Sequence, residues 1–503
     1  MRRFDPGVSA APRTLCLLMA IAAAPVAARQ GEPPYSLAHP AKLAPIVEVR
    51  HVGAIDATQR RVEADARAGA TLMKRRPTAD GIAVSIDASR DGTWTILPDG
   101  SRLWRAQLGV DGATDLRLGF DRFALPAGAT LYVIGADAYY QGPYTAADAS
   151  AGSFHSSVVP GDTATIELRI PAGEELAPDA LVITRVGAGF RDLFGRIKAV
   201  ADTGPGTSGA CNVNVVCPAG QAYPDEIRAV GYYEFQADDD HQFYICSGTL
   251  LADVPRDHRN YFLTAAHCLA SPTEANTVVV YWNYQSTQCA SLVEPSGGYF
   301  NNDQHGASLR ATRADVDVTL LEMAQAPEDA WHVYYAGWDA SGIAPSATVG
   351  IHHPSGDVKK ITNGPTPSTI DNCIGTGGAS HNTHWLTGPY SQGTTEGGSS
   401  GSGLFVTANN GGGHARLLIG TLSGGGAACS LLNPGAPNTD NDCYGKFAAA
   451  WNGASAASRL RDWLDPAGTG TTMQTGIDSQ DTEPTTGNGH SSHRRPRLSP
   501  FRD

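Results

Sequence analysis

At 503 residues the chain is too long for one small core and predicts more than one domain. Its formal net charge of −13 leaves no basic surface for neutralising phosphates, which excludes nucleic acid as an expected partner. A cationic substrate group would instead meet a broadly favourable field.

Arg2, Arg3 and Arg13 give the N-terminus a positive lead, and residues 15–26 are apolar but too short to span a bilayer. Val26, Ala27 and Ala28 offer the small residues of a cleavage site, so residues 1–28 read as a signal peptide cut after Ala28. No later run is long and apolar enough for a membrane span, so a secreted, extracellular product is expected, free of the membrane.

Residues 29–205 carry no cysteine and no catalytic motif. A partly helical stretch over residues 57–69 comes first. A hairpin over 92–106 and strands over 116–120, 130–134, 163–170 and 180–186 follow, which together predict a small β-sandwich. The stretch 199–209 is small, polar and turn-rich, as a processing site should be. Within it the boundary falls between 199 and 206, and a cut after a basic residue would use Lys198.

Cys16 lies in the signal, and the other eight cysteines all fall between Cys211 and Cys443. An even number in an exported chain predicts a disulfide framework, whose connectivity sequence alone leaves open. No Cys-x-x-Cys pair is present, so zinc is not expected. His352 and His353 are adjacent on a strand and point to opposite faces, which makes them poor joint ligands. No metal and no cofactor is expected.

Residues 206–478 show short strands separated by Gly, Pro, Asn and Ser turns, at 244–251, 277–285, 317–322, 348–352, 404–406, 416–422 and 446–450. Near the end Ala456, Leu460, Trp463 and Leu464 recur at helical spacing, with Ser455 as cap and Pro466 after the stop. Residues 479–503 are polar, with a short basic cluster at 493–497 close to acidic residues, and predict a disordered tail.

Three segments carry chemistry: Thr264-Ala265-Ala266-His267-Cys268, Asp317-Val318-Thr319-Leu320-Leu321 and Gly398-Ser399-Ser400-Gly401-Ser402-Gly403. Serine is a weak nucleophile until an imidazole takes its proton and a carboxylate holds that imidazole in the right tautomer. His267 is the expected general base, Asp317 its orienter and Ser400 the nucleophile. Asp315 is the rival carboxylate, but the apolar run begins right after Asp317. The chain order His, Asp, Ser is that of the chymotrypsin-like double β-barrel. The amides of Gly398 and Ser400 would form an oxyanion hole, glycine at 398 allowing the backbone to turn its N–H toward the developing charge.

The chain resembles bacterial trypsin-like serine proteases of the lysyl endopeptidase kind. The likeness runs through 211–218, 228–231, 261–265, 280–285, 336–339, 351–354, 398–402 and 458–465, and so spans roughly residues 206–478. It implies an all-β, chymotrypsin-like double β-barrel with a C-terminal helix, preceded by a sandwich-like pro-region over 29–205, with the mature chain starting near Gly206. It further implies bridges Cys211–Cys429, Cys217–Cys289 and Cys246–Cys268; Cys373 and Cys443, which have no counterpart in the family pattern, pair by elimination. The expected product is a monomeric serine endopeptidase acting on protein and peptide substrates with basic residues, made as a precursor that its own pro-region restrains.

Several positions depart from the trypsin pattern. Ser399 stands where trypsins keep the aspartate that pairs with a freed N-terminus, so maturation should work by removing the pro-region, with Cys211 and Cys217 tying the segment down. Thr394 stands where trypsins hold the carboxylate of the specificity pocket. The family resemblance assigns that charge to Asp442, with Ser423, Gly424 and Gly425 holding the substrate backbone by edge pairing. The family's best-known members carry a histidine where this chain has Ser423. They also place a tryptophan in the segment upstream of the nucleophile, where this chain has Trp385 nearby in sequence. Cleavage after Lys is expected, with room left for Arg. The alternative, from another functional class, is a catalytically inactive, secreted, protease-like binding protein.

Overall fold

The computed structural model describes residues 32–40, 43, 48–68, 71–194, 207–289, 302–371, 373–374, 381–406 and 416–481. The expected signal peptide, the linker with Lys198, and the tail beyond 481 lie outside the described residues.

Residues 230–323 build a closed barrel. Val230–Gln236 pairs with Phe243–Leu251, which pairs with Tyr261–Thr264, then Val318–Met323, then Ala307–Arg313. On its other side Val230–Gln236 pairs with Val279–Tyr281, and that strand with Asp303–His305. Gly306 joins Asp303–His305 to Ala307–Arg313 and closes the ring. A second barrel follows, in the order Lys360–Pro365, Ala347–His352, Gly403–Val406, Leu418–Gly425, Asp442–Lys446, His384–Thr387 and Ser368–Ile370. Its last member lies two residues beyond Lys360–Pro365 along the chain, which closes this ring as well. One apolar core joins the barrels: Leu263 and Leu320 of the first meet Ile351, Phe405 and Leu418 of the second.

The N-terminal part is a β-sandwich. One sheet holds Val49–Ala54, Thr93–Ile96, Arg102–Asp111, Thr163–Ile170, Thr130–Ile134 and Tyr140–Tyr144. The other holds Arg76–Asp87, Leu181–Gly189 and Asp115–Phe123. Apolar side chains alternate inward from both, among them Leu108, Leu118, Phe120, Leu131 and Ile166. The helix expected over 57–69 forms at Ala57–Ala68.

Strand Arg76–Asp87 has no counterpart among the sequence expectations. Pro77 and Gly81 interrupt its pattern, and it becomes a strand only through its neighbours. It pairs with Leu181–Gly189 and, at its start, with Phe243–Ile245 of the first barrel. The sandwich and the first barrel therefore share one sheet and one core, to which Tyr232, Ile245 and Tyr281 contribute.

Two local expectations change. Residues 446–450 do not form a strand. The strand is Asp442–Lys446, and Phe447–Trp451 is a helix. Three alanines favour helix, and Phe447 and Trp451, four residues apart, both pack on Trp338 with ring centroids 5.4 Å and 4.6 Å away. The continuous C-terminal helix is interrupted. Ser455 caps a single turn, Ala456–Ser458; Arg459 is extended; helix Arg461–Leu464 follows. The Leu460 amide donates to Ala450 O at 3.0 Å, so a tertiary bond takes the group that a helix would have used.

Four disulfides are present: Cys211–Cys429, Cys217–Cys289, Cys246–Cys268 and Cys373–Cys443. Among the described residues no helix is long and apolar enough to cross a membrane.

Candidate active site

Strand Tyr261–Thr264 ends just before His267, and Asp317 immediately precedes the strand paired to it. These two pairing partners deliver both side chains to the rim of the first barrel. Asp317 Oδ2 lies 2.8 Å from His267 Nδ1, while Oδ1 accepts from the His267 amide, also at 2.8 Å. One carboxylate thus fixes the ring and its backbone together. The rival Asp315 is turned away and accepts from Arg313 Nε at 3.0 Å. From the second barrel, the turn before Gly403–Val406 brings Ser400 Oγ to 2.7 Å from His267 Nε2. An imidazole so held can take a hydroxyl proton through one nitrogen while the other keeps its own.

The turn around Ser400 is braced from the first barrel. Ser247 N donates to Ser400 O at 2.8 Å and Ser247 Oγ to Gly398 O at 3.0 Å. Gly398 has φ +99, and a Cβ there would stand 2.8 Å from His353 O. Only glycine fits that turn. Its amide faces the cleft and donates to Lys74 O at 2.5 Å. Ser399 Oγ lies 2.9 Å from His352 Nδ1 and accepts from the Glu396 amide. The Glu396 carboxylate takes up the N-terminal segment of the barrels, accepting from Gly209 N and Asn212 Nδ2, each at 2.8 Å.

Asp442 is fully buried, paired across the strands with Gly425. Its Oδ2 accepts from Thr395 Oγ1 at 2.5 Å and from Tyr390 OH at 3.1 Å. Burial and the Asp442 charge together push the Tyr390 hydroxyl well above its usual range, so it stays a donor. Lys74, from the N-terminal part, enters this pocket. Its Nζ lies 2.9 Å from Asp442 Oδ1, 2.8 Å from Ala427 O and 2.5 Å from Thr395 Oγ1. Leu72 O accepts from Gly425 N at 3.0 Å, and Met73 bridges antiparallel to Gly424. A Cβ on Gly424 would stand 2.0 Å from Leu72 O, so this wall must be glycine for a chain to lie on it.

Sequence reasoning named neither Lys74, Thr395, Tyr390 and Ala427, which complete the pocket, nor Ser247, which braces the Ser400 turn. None carries a local signal, because each acts on a partner far away in the chain. Ser423 is buried on the strand that also carries Gly424 and the half-buried Gly425 and faces Asp442. Thr394 is buried next to the pocket residue Thr395. Trp385 lies in the core of the second barrel, under the Lys446 ammonium at 4.0 Å. His352 and His353 are both buried and turn to different partners, Ser399 and Asp357 O. The described residues contain no cluster of three or more potential metal ligands.

Two closed barrels, with histidine, aspartate and serine meeting in the cleft between them, define a serine endopeptidase of the chymotrypsin-like class. A family model described as the lysyl endopeptidase C-terminal domain matches residues 205–445, and one described as the lysyl endopeptidase N-terminal domain matches residues 49–187. The lysyl endopeptidase of Pseudomonas aeruginosa is 32% identical over 375 residues, which cover 71% of this chain and 76% of that protein. The chain belongs to the lysyl endopeptidase family. Among solved structures, the active form of the Rv3671c protease from M. tuberculosis aligns with a TM-score of 0.30 at 14% identity, over 45% of this chain and 79% of that one. An HtrA-type protease with a tripeptide aligns with a TM-score of 0.30 at 15% identity, over 45% of this chain and 59% of that one.

Proposed function

We propose that this protein is a secreted serine endopeptidase, made as a precursor, that hydrolyses peptide bonds on the carboxyl side of lysine. Ser400 is the nucleophile, His267 the general base and acid, and Asp317 the orienter. Gly398 and Ser400 supply the oxyanion-hole amides. Asp442 binds the substrate cation, and Ser423, Gly424 and Gly425 hold the substrate backbone. The single observation that carries the specificity is the Lys74 ammonium 2.9 Å from the buried Asp442 carboxylate, with three further oxygens, Ala427 O, Thr395 Oγ1 and Thr395 O, around it. Oxygens gathered around one point suit the compact, radiating donors of an ammonium; a planar guanidinium needs a different fork.

The distribution of basic residues supports lysine over arginine. The chain has six lysines. Those of the catalytic part, Lys359, Lys360 and Lys446, are all buried. Arginines there are not hidden: Arg259 and Arg461 expose 46% and 45% of their side chains. A lysine-directed enzyme with no accessible lysine on its own catalytic part is spared self-digestion.

Residues 1–28 are read as the export signal, 29–205 as the pro-region, 206–478 as the protease and 479–503 as a tail. The four disulfides support an oxidising destination. A fluorophosphonate probe and a mixed peptide library test the reading. The processed form is expected to label at Ser400 and to cut after lysine. No labelling would leave the protease-like binding protein as the better reading, and equal cutting after lysine and arginine would remove the lysine assignment.

A further inference from the structure

We propose that the Lys74–Arg75 peptide bond is itself a cleavage site of this chain, cut in cis by its own Ser400 while the N-terminal sandwich stays docked. The inference rests on the lysine-directed activity proposed above and assigns that site its first substrate.

The chain lies across the cleft as a substrate on both sides of this bond. Before it, Leu72 and Met73 pair with Gly425 and Gly424, and Lys74 fills the Asp442 pocket. After it, Arg76, Pro77 and Ala79 pair with Ile245, Tyr244 and Phe243 of the first barrel. Arg75 donates to His267 O at 3.3 Å and rests 4.5 Å over the Tyr244 ring. Here the Lys74 carbonyl oxygen accepts from the Gly398 amide, where negative charge develops during acyl transfer, and Ser400 is already bonded to His267.

The step balances with water alone. Ser400 Oγ bonds to the Lys74 carbonyl carbon and its proton passes to His267 Nε2. The C–N bond to Arg75 breaks, and His267 returns that proton to the Arg75 amine. Water then cleaves the ester, leaving a Lys74 carboxylate and a restored Ser400.

The two pieces stay together after the cut. Upstream, Val49–Ala54 remains in register with Arg102–Asp111, and Arg60 holds Asp80 at 2.6 Å across the break. Downstream, Arg76–Asp87 remains paired with Leu181–Gly189. The bond is thus nicked before the sandwich leaves, and the first event of maturation lies within the pro-region, well before residues 199–206 in the chain.

The full-length chain, freshly refolded, is followed by intact mass and N-terminal reading, and the isolated processed enzyme is assayed on lysyl peptides in parallel. A new N-terminus at Arg75 is expected, appearing with a first-order rate that a tenfold dilution leaves unchanged, and absent from Ser400→Ala and Lys74→Gln precursors. An intact 74–75 bond in a precursor whose processed form cuts lysyl peptides would overturn this inference and leave the functional reading standing. A rate proportional to concentration would overturn cutting in cis. Failure of the processed form to cut lysyl peptides would remove the functional reading, and this inference with it.

Discussion

Asp442 is held by Thr395, Tyr390 and the Ala427 amide, so its oxygens are positioned before any ligand cation arrives. A buried carboxylate in such a setting rewards a cation and penalises an uncharged side chain, which would leave it unpaired. Asp442→Asn keeps the volume and removes the charge. Its kcat/KM on lysyl peptides is expected to fall about a hundredfold or more, with a much smaller change on norleucyl peptides. Competition between the two peptides measures this, and retained lysine preference would reassign the pocket. At this scale the legibility of the sequence was uneven. His267, Asp317 and Ser400 each sit in a segment whose local composition marks them, and the fold brings the three together. Thr395 sits in a Gly-, Ser- and Thr-rich run like any loop threonine, and only a carboxylate 47 positions later gives it a role.

Strand Arg76–Asp87 ties sandwich to barrel, and a buried ionic group supports the same junction. Arg117 of the sandwich lies 2.6 Å from Asp115 and 2.9 Å from Glu234 of the first barrel, and all three are buried. Two carboxylates surround one guanidinium, which raises the Arg117 pKa despite its burial; Glu234 is pushed up, chiefly by burial. Removing the cation leaves two buried carboxylates facing each other. Arg117→Ala in a Ser400→Ala background is expected to destabilise the precursor by about 3–5 kcal/mol, read as a lower urea midpoint. An unchanged midpoint would mean that the junction is held by apolar burial alone. Element prediction succeeded where alternation was regular, as at Thr130–Ile134 and Thr163–Ile170, whose expected bounds match. It failed at Arg76–Asp87, where proline and glycine obscure the pattern, and at Phe447–Trp451, where packing on Trp338 decided the conformation.

The chain threaded from the sandwich into the cleft brings charge close to groups of the second barrel. His352 is one. It lies behind Ser399, and burial first, then the Lys74 and Lys360 charges, take its pKa down to about 3 from 6.5. A depressed histidine keeps its full contribution above its unfolded pKa and loses it as pH falls toward the folded one, because only the unfolded chain takes up the proton. Its window therefore runs from 6.5 down to about 3. In the Ser400→Ala background, His352→Asn is expected to lose about 2 kcal/mol less stability than its parent between pH 7 and pH 5, by urea unfolding. Equal losses in both chains would show that His352 is charged in the fold.

Local sequence marked the catalytic segments and part of the barrel strands, among them Phe243–Leu251 and Val318–Met323, because a nucleophile turn and short apolar runs between turn residues are written in neighbouring residues. The tertiary structure alone decided that Lys74 lies in the pocket of Asp442, 368 positions away. No pattern at either end encodes that meeting. It follows from a strand that finds its partners in two different domains, and pairing at such separation is a property of the folded chain.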